Sequence, residues 1–252
     1  MQMRLEELVI DSRDPRALAA WWAEALGWEL HPEGDDEVYV RQAADADGVY
    51  PFPELAFCTL EHPEAGREGI HLDLNSSSPE DQQATVERLL AQGATRADVG
   101  QAPDAPFVVL ADPEGNNLCV LDPRPEYAHL GTLAGYTLAA HDAQALKELW
   151  QVATGWAVTR DEPDHVILTP PDGGPPVEII TRPTMATSTA KLRSHFDVRA
   201  VDGTPQEDVV ERLLALGATR ADIGQDADDP LISWVVLEDP EGNELCVLAT
   251  QG

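Results

Sequence analysis

The chain is short of cations. Its 252 residues include 16 Lys and Arg against 46 Asp and Glu, a formal net charge of -30. A field of that sign repels phosphate backbones and anionic headgroups, so neither nucleic acid nor a membrane surface is expected as a partner; neutral or cationic small molecules remain. Long apolar runs are also missing: nothing approaches the roughly 18 to 20 residues that cross a bilayer. The first residues, "MQMRLEELVIDSRDP", are charged throughout and lack the apolar centre of a signal peptide. Only three cysteines occur, Cys58, Cys119 and Cys246, too few for a disulfide framework. A cytoplasmic protein with reduced thiols is expected. The acidic run "EGDDE" from Glu33 to Glu37 lacks the alternating oxygen ligands and closing glutamate of a calcium loop and reads as an ordinary loop. The acidic excess has a plain role in solubility besides any in steering a ligand.

What is present is a duplication. The stretch from His71, "HLDLNSSSPEDQQATVERLLAQGATRADVG", returns from His195 as "HFDVRAVDGTPQEDVVERLLALGATRADIG". Between Glu87–Gln101 and Glu211–Gln225 only Gln92/Leu216 and Val99/Ile223 differ. The offset from His71 to His195 is about the size of a whole domain and too long for a solenoid unit. Two similar domains are expected, over 1–124 and 131–252, joined by the proline-containing stretch Asp122 to Thr132. With 43% hydrophobic residues the chain can fill two ordinary cores. Cys119 and Cys246 are one position of the repeat.

Local signals divide each half into two modules. Leu5 to Ile10 suits a strand; Asp14-Pro15 then opens a helix as N-cap and first helical residue, and Gly27 ends it. Leu18, Trp21, Trp22, Ala25 and Leu26 keep helical spacing, which places the tryptophans at the helix–sheet core and its edge; an aromatic cage for a cation is the sharper alternative. Short strands follow in "WELH", "EVYVRQ" and "ELAFCTL". "GIHLDLN" restarts the pattern, with a helix capped at Ser78-Pro79 and stopped by Gly93, and strands in "TRADV", "FVVLAD" and "NLCVLD". The last two are joined by "DPEGN", whose proline, aspartate and glycine suit a tight turn. The second half repeats this order from about Leu133, with a helix from about Asp142 to Ala153 ended by Gly155, then "HVILTP" and "PVEIITR". Trp234 falls on a strand whose alternation leaves its face undecided.

The βαβββ module used in pairs, helices ending "ALGW" or "ATGW", the "HLDL" strand and the closing "DPEGNxLCVL" hairpin together resemble the vicinal oxygen chelate superfamily, and its glyoxalase-like branch most. The resemblance covers nearly the whole chain. It implies an α+β fold of two tandem glyoxalase-like domains, each of paired βαβββ modules forming an incomplete barrel whose concave face, the cup, holds a ligand. Members include glyoxalases, extradiol dioxygenases, fosfomycin-modifying enzymes and bleomycin-resistance proteins, so the fold leaves the chemistry open. The assembly implied is a monomer with an internal pseudo-dimer, or a homodimer.

Strand alternation says which side chains reach a cup. With Leu72 and Leu74 in the core, His71 and Asp73 face the cup; the same parity turns Cys119, Glu54 and Glu7 inward. The resemblance places metal ligands at four such positions: Glu7, Glu54, His71 and Cys119 in the first domain, and Gly135, Glu178, His195 and Cys246 in the second. Metal-using relatives carry glutamate where both repeats have cysteine, and this departure favours a cup with no metal or other cofactor. The candidate ligand-binding residues are therefore Glu7, Glu54, His71, Asp73, Cys119, Glu178, His195 and Cys246. The alternative is one divalent ion (Zn, Fe, Mn or Ni) in the first domain on Glu7, Glu54 and His71. Cys119 can ligate zinc as thiolate, but its "LCVL" surroundings suit a small apolar filler, and the nearby glutamates oppose a thiolate nucleophile. Asp73 and Asp197 read as bases or as hydrogen-bonding residues. The leading expectation is metal-independent binding of a small neutral or cationic molecule, of the antibiotic-sequestering kind. A metal-dependent lyase, isomerase or dioxygenase and a non-catalytic scaffold are the alternatives. Loops Pro32 to Asp36 and Asp161 to His165 differ most between the repeats, which points to unequal cups.

Overall fold

A computed structural model describes residues 1–34, 37–44, 46, 51, 53–59, 69–182, 192–222 and 232–250. Asp35 and Asp36 of the acidic loop, and residues 223–231 of the second repeat, lie outside the described residues. Four modules follow in order. The first is β1 (Met3–Ser12), α1 (Pro15–Leu26), β2 (Glu29–Pro32), β3 (Glu37–Arg41) and β4 (Glu54–Thr59). The second is β5 (Ile70–Leu74), α2 (Pro79–Ala91), β6 (Thr95–Arg96), β7 (Val108–Ala111) and β8 (Asn117–Val120). The third is β9 (Leu133–Ala140), α3 (Ala143–Thr154), β10 (Ala157–Glu162), β11 (His165–Thr169) and β12 (Val177–Thr181). The fourth is β13 (Ser194–Ala200), α4 (Gln206–Ala215), β14 (Thr219–Arg220), β15 (Trp234–Glu238) and β16 (Glu244–Leu248). The third module thus has a strand in "AVTRDE", which the sequence reading passed over, while "TRADV" forms only the two residues of β6. The linker carries a 3-10 turn at Pro125–Tyr127.

The helix ends form for the expected reasons. Asp14 accepts from the Ala17 amide and Ser78 from the Asp81 amide, so each satisfies a donor that helix geometry leaves unpaired. Gly155 closes α3 in the left-handed region, at φ 73°, and a Cβ there would lie 2.7 Å from the Met3 carbonyl oxygen, so both backbone conformation and packing require glycine.

The strands form two open eight-stranded sheets. Sheet I runs β14-β15-β16-β13-β1-β4-β3-β2 and sheet II runs β10-β11-β12-β9-β5-β8-β7-β6. The first module therefore shares a sheet with the fourth, and the second with the third. This corrects the expectation that the two modules of one half share a cup. β1 lies antiparallel to β13 and β5 antiparallel to β9 at the sheet centres. The apolar faces of both sheets and the helices form a single core. Within it Tyr136 of sheet II meets Phe196 of sheet I edge to face at 5.7 Å, and Phe196 meets Trp150 at 5.9 Å.

The "DPEGN" turns do more than reverse the chain. Asp112 accepts from the Glu114 and Asn116 amides and from the buried indole of Trp22 on α1, 3.0 Å away. Glu114 accepts from the Ser12 hydroxyl and from the Arg13 and Asp14 amides at the entry to α1. In the second half Asp239 receives the Trp150 indole at 2.9 Å, and Glu241 receives the His141 and Asp142 amides ahead of α3. Each turn thus pins the helix of one module to the hairpin of the next, tying sheet I to sheet II twice.

Candidate functional site

Register fixes which side chains share the polar face of each sheet, the face expected to form a cup; cup 1 denotes that face of sheet I and cup 2 that of sheet II. In sheet I, Glu54, Glu7, Asp197 and Cys246 stand side by side on β4, β1, β13 and β16. In sheet II, Asp73 stands between Gly135 and Cys119, and the neighbouring row holds His71, Thr137 and Glu178. Side chains directly opposite on neighbouring strands have Cβ atoms about 5 Å apart, so each row is a contact set. Of the eight expected site residues, cup 1 gathers Glu7, Glu54, His195 and Cys246, and cup 2 gathers His71, Asp73, Cys119 and Glu178. The set Glu7, Glu54 and His71 is not brought together, because β1 pairs with β13 and not β5; His195 stands where His71 was expected. Glu178 is also not the counterpart of Glu54: it pairs with Thr137, two residues beyond Gly135, whereas Glu54 pairs with Glu7. Trp234 lies two residues from Val236, which pairs with Cys246, and so takes the cup face.

Cup 1 is crowded with carboxylates. Arg41 binds Glu54 at 2.7 Å, and Tyr39 donates to Glu37 at 2.9 Å. The charges that act most on Glu7 are all negative. Burial, then Asp197, Glu37, Glu54 and Glu6, push its carboxyl from the ordinary range up to about 8. Burial, with the carboxylates of Glu7 and Glu37, raises the Tyr39 phenol and the Cys58 thiol too, so neither serves as an anion there. Sequence reasoning found Glu7 and Glu54 but missed Glu37, Tyr39 and Arg41. Their alternation with the core residues Val38 and Val40 was the available signal.

Both cups hold a His-Asp-Cys cluster whose donor atoms all lie within 4.8 Å of one another: His71, Asp73 and Cys119 in cup 2, and His195, Asp197 and Cys246 in cup 1. His71 Nε2 is 3.4 Å from Asp73 Oδ1 and 3.6 Å from Cys119 Sγ. Burial alone would lower the His71 imidazolium, but the Asp73 carboxylate holds it up to about 10, and Asp73 is lowered in turn. Thr137 donates to the second oxygen of Asp73 at 2.6 Å. Asp73 and Cys119 both face Nε2, so this is no relay that would activate a thiolate through the ring, and burial raises the Cys119 thiol.

Cup 2 is covered by the linker. The linker lays Tyr127 over cup 2, against Val109, Cys119, Leu121 and Ala134, with the tyrosine 5% exposed. Its hydroxyl donates to Glu178, whose other oxygen is 2.7 Å from His165 Nε2.

The two halves of the chain are each matched by a known family. The glyoxalase-like domain family model fits twice, over residues 7–121 and 135–248. The chain belongs to the glyoxalase-like family. Among solved structures, glyoxalase I from Zea mays aligns over 98% of this chain and 92% of its own, with TM-score 0.63 at 14% identity. A putative dioxygenase from Bacillus subtilis subsp. subtilis str. 168 aligns over 100% of this chain and 86% of its own, with TM-score 0.60 at 13% identity. Identities this low bear on the glyoxalase-like fold and not on the reaction. A search of curated proteins returns no significant match.

Proposed function

We propose that cup 1 binds a small cationic organic molecule without a metal, and that Glu7, Asp197 and Glu37 recognise its ammonium or guanidinium group. The observation that carries this reading is the setting of Glu7: a half-buried carboxyl faced mainly by other carboxylates. Such a group keeps a proton at neutral pH until another positive charge replaces it. A cationic ligand does so, and the chain's net charge of -30 speeds its arrival.

The reading has a signature that simple adhesion to an acidic surface lacks. Calorimetric titration at pH 7, repeated in buffers of different ionisation enthalpy, should show close to one proton released per cation bound. Glu7→Gln should abolish the release and weaken binding about 10-fold or more, the cost of one charge-assisted contact. A panel of alkylammonium and guanidinium compounds with neutral isosteres supplies the probes. Binding without proton release, or equal binding of the isosteres, sinks the reading.

A second reading rests on the His-Asp-Cys clusters. Zinc bonds of about 2.0 to 2.3 Å in a tetrahedron leave donor atoms roughly 3.3 to 3.8 Å apart. The separations of 3.3 Å between His195 and Asp197 and 3.6 Å between Cys119 and His71 fit that spacing. In cup 1 a divalent ion would rest on His195, Asp197 and Cys246, and when bound would polarise a substrate oxygen while Glu7 moved a proton. Metal analysis of protein purified without chelator decides between the two: stoichiometric metal that disappears in His195→Ala favours this reading and overturns the metal-free one.

A further inference from the structure

We infer that the linker is a strap that seats its own tyrosine in cup 2 as an internal ligand, so that cup 2 is a preformed site for a phenol which the chain itself fills. This stands apart from the cation site of cup 1, on the other sheet.

Three observations carry it. First, Tyr127 enters the cup from outside the sheet, on the 3-10 turn at Pro125–Tyr127, unlike the residues that form the cup from β5, β8, β9 and β12. Second, its hydroxyl reaches a polar group prepared for it: Glu178 is 3% exposed, is oriented by His165, and accepts from the phenol. A buried carboxylate with one oxygen on an imidazole and the other on a phenol is a recognition pair, and an aryl group without a hydroxyl would leave that oxygen unsatisfied. Third, the strap is latched at its backbone. The Asn75 side-chain amide donates to the Tyr127 carbonyl at 2.9 Å, and the Asn75 main-chain amide donates to the Thr132 carbonyl at 2.7 Å. The outer side of the strap borders a groove of about 730 Å³ beside α2, lined by Arg88, Arg124 and Thr132 among others, so part of that side is not packed against protein. At the repeat position of Asn75 the second half has Arg199, which holds Glu6 and the Ala249 carbonyl in place of a strap. Among the described residues cup 1 receives no tyrosine from outside its sheet; Tyr39 comes from its own β3.

The experiment restores the truncated side chain from solution. Tyr127→Ala should melt below wild type, and millimolar p-cresol should raise its melting temperature by several degrees, saturably and with one site per chain, while leaving wild type unmoved. Toluene should do less, since it offers nothing to Glu178. A folded Tyr127→Ala that ignores p-cresol, or a wild type stabilised equally, overturns the inference. Should Tyr127→Ala fail to fold, Glu178→Ala in the intact chain tests the same latch by hydrogen exchange. Amides of residues 124–131 should exchange faster while those of β13 and β16 do not. Unchanged exchange over 124–131 overturns the inference equally.

Discussion

Asp239→Ala is expected to lower the melting temperature by about 10 °C. The Asp239 carboxylate accepts from the Trp150 indole, the Glu241 amide, and both the amide and side chain of Asn243. Trp150 is fully buried, so alanine strands an indole N–H in the core and removes the clamp that shapes the turn. Each orphaned buried donor costs about 1 to 3 kcal/mol. The burial that holds the Asp239 carboxyl above its ordinary range offsets part of this, because the charge itself is expensive there. A net loss of about 3 to 5 kcal/mol follows, and a chain of this size shifts by roughly 2 to 4 °C for each of them. Asp239→Asn, which keeps the shape and one acceptor, should lose less than half as much. The check is thermal unfolding followed by circular dichroism; a change under 2 °C would mean that the turn does not fasten α3.

Glu7→Gln is expected to do the opposite and stabilise the protein, at a pH that can be stated in advance. The Glu7 carboxyl is raised from 4.5 to about 8 in the fold. Between those values the unfolded chain has released the proton and the folded chain keeps it, so stability falls as pH rises through that window and levels off above about 8. Glutamine carries no such penalty. The variant should match wild type near pH 4, gain steadily from there, and exceed it by roughly 4 kcal/mol at pH 9, since each tenfold in proton affinity is worth about 1.4 kcal/mol. The gain comes with the loss of ligand affinity expected for cup 1, the familiar opposition of stability and function. Denaturant titrations at pH 4, 7 and 9 measure it; a variant less stable than wild type at pH 9 would show that some cation already neutralises Glu7.

Much of the architecture was legible because its signals are local. Asp14, Ser78 and Gly155 announce helix ends by chemistry that needs only neighbouring residues. The alternation in "HLDL" settles the face of His71 whichever strand lies beside it. What sequence could not decide was partnership. β5 and β13 are near copies, "HLDL" and "HFDV", so either offers β1 the same pattern of hydrogen bonds and apolar contacts, and nothing local prefers one. The choice is made by packing, through the shared core and the Trp22–Asp112 and Trp150–Asp239 clamps between modules. Those clamps had left a trace. A tight turn asks for proline, glycine and one aspartate, yet "DPEG" keeps its glutamate in both repeats, a residue the turn does not need. Glu114 and Glu241 are kept where each meets the start of a helix on another module. Tyr127 left no such trace, since one aromatic in a proline-containing linker reads as linker. The pairing of Glu54 with Glu178 failed for a related reason: the segments leading into β4 and β12 differ between the halves, and counting along them loses the register by two residues.

The central claim is that the first and last modules build one acidic cup around Glu7. Following the Glu7 carboxyl carbon by NMR through a pH titration tests it directly, in wild type, Asp197→Asn and Asp73→Asn. The account predicts a midpoint near 8 in wild type, a clear fall when Asp197 loses its charge, and no change when Asp73 does. A midpoint near the ordinary value for glutamate, or one that answers to Asp73 and ignores Asp197, would contradict it.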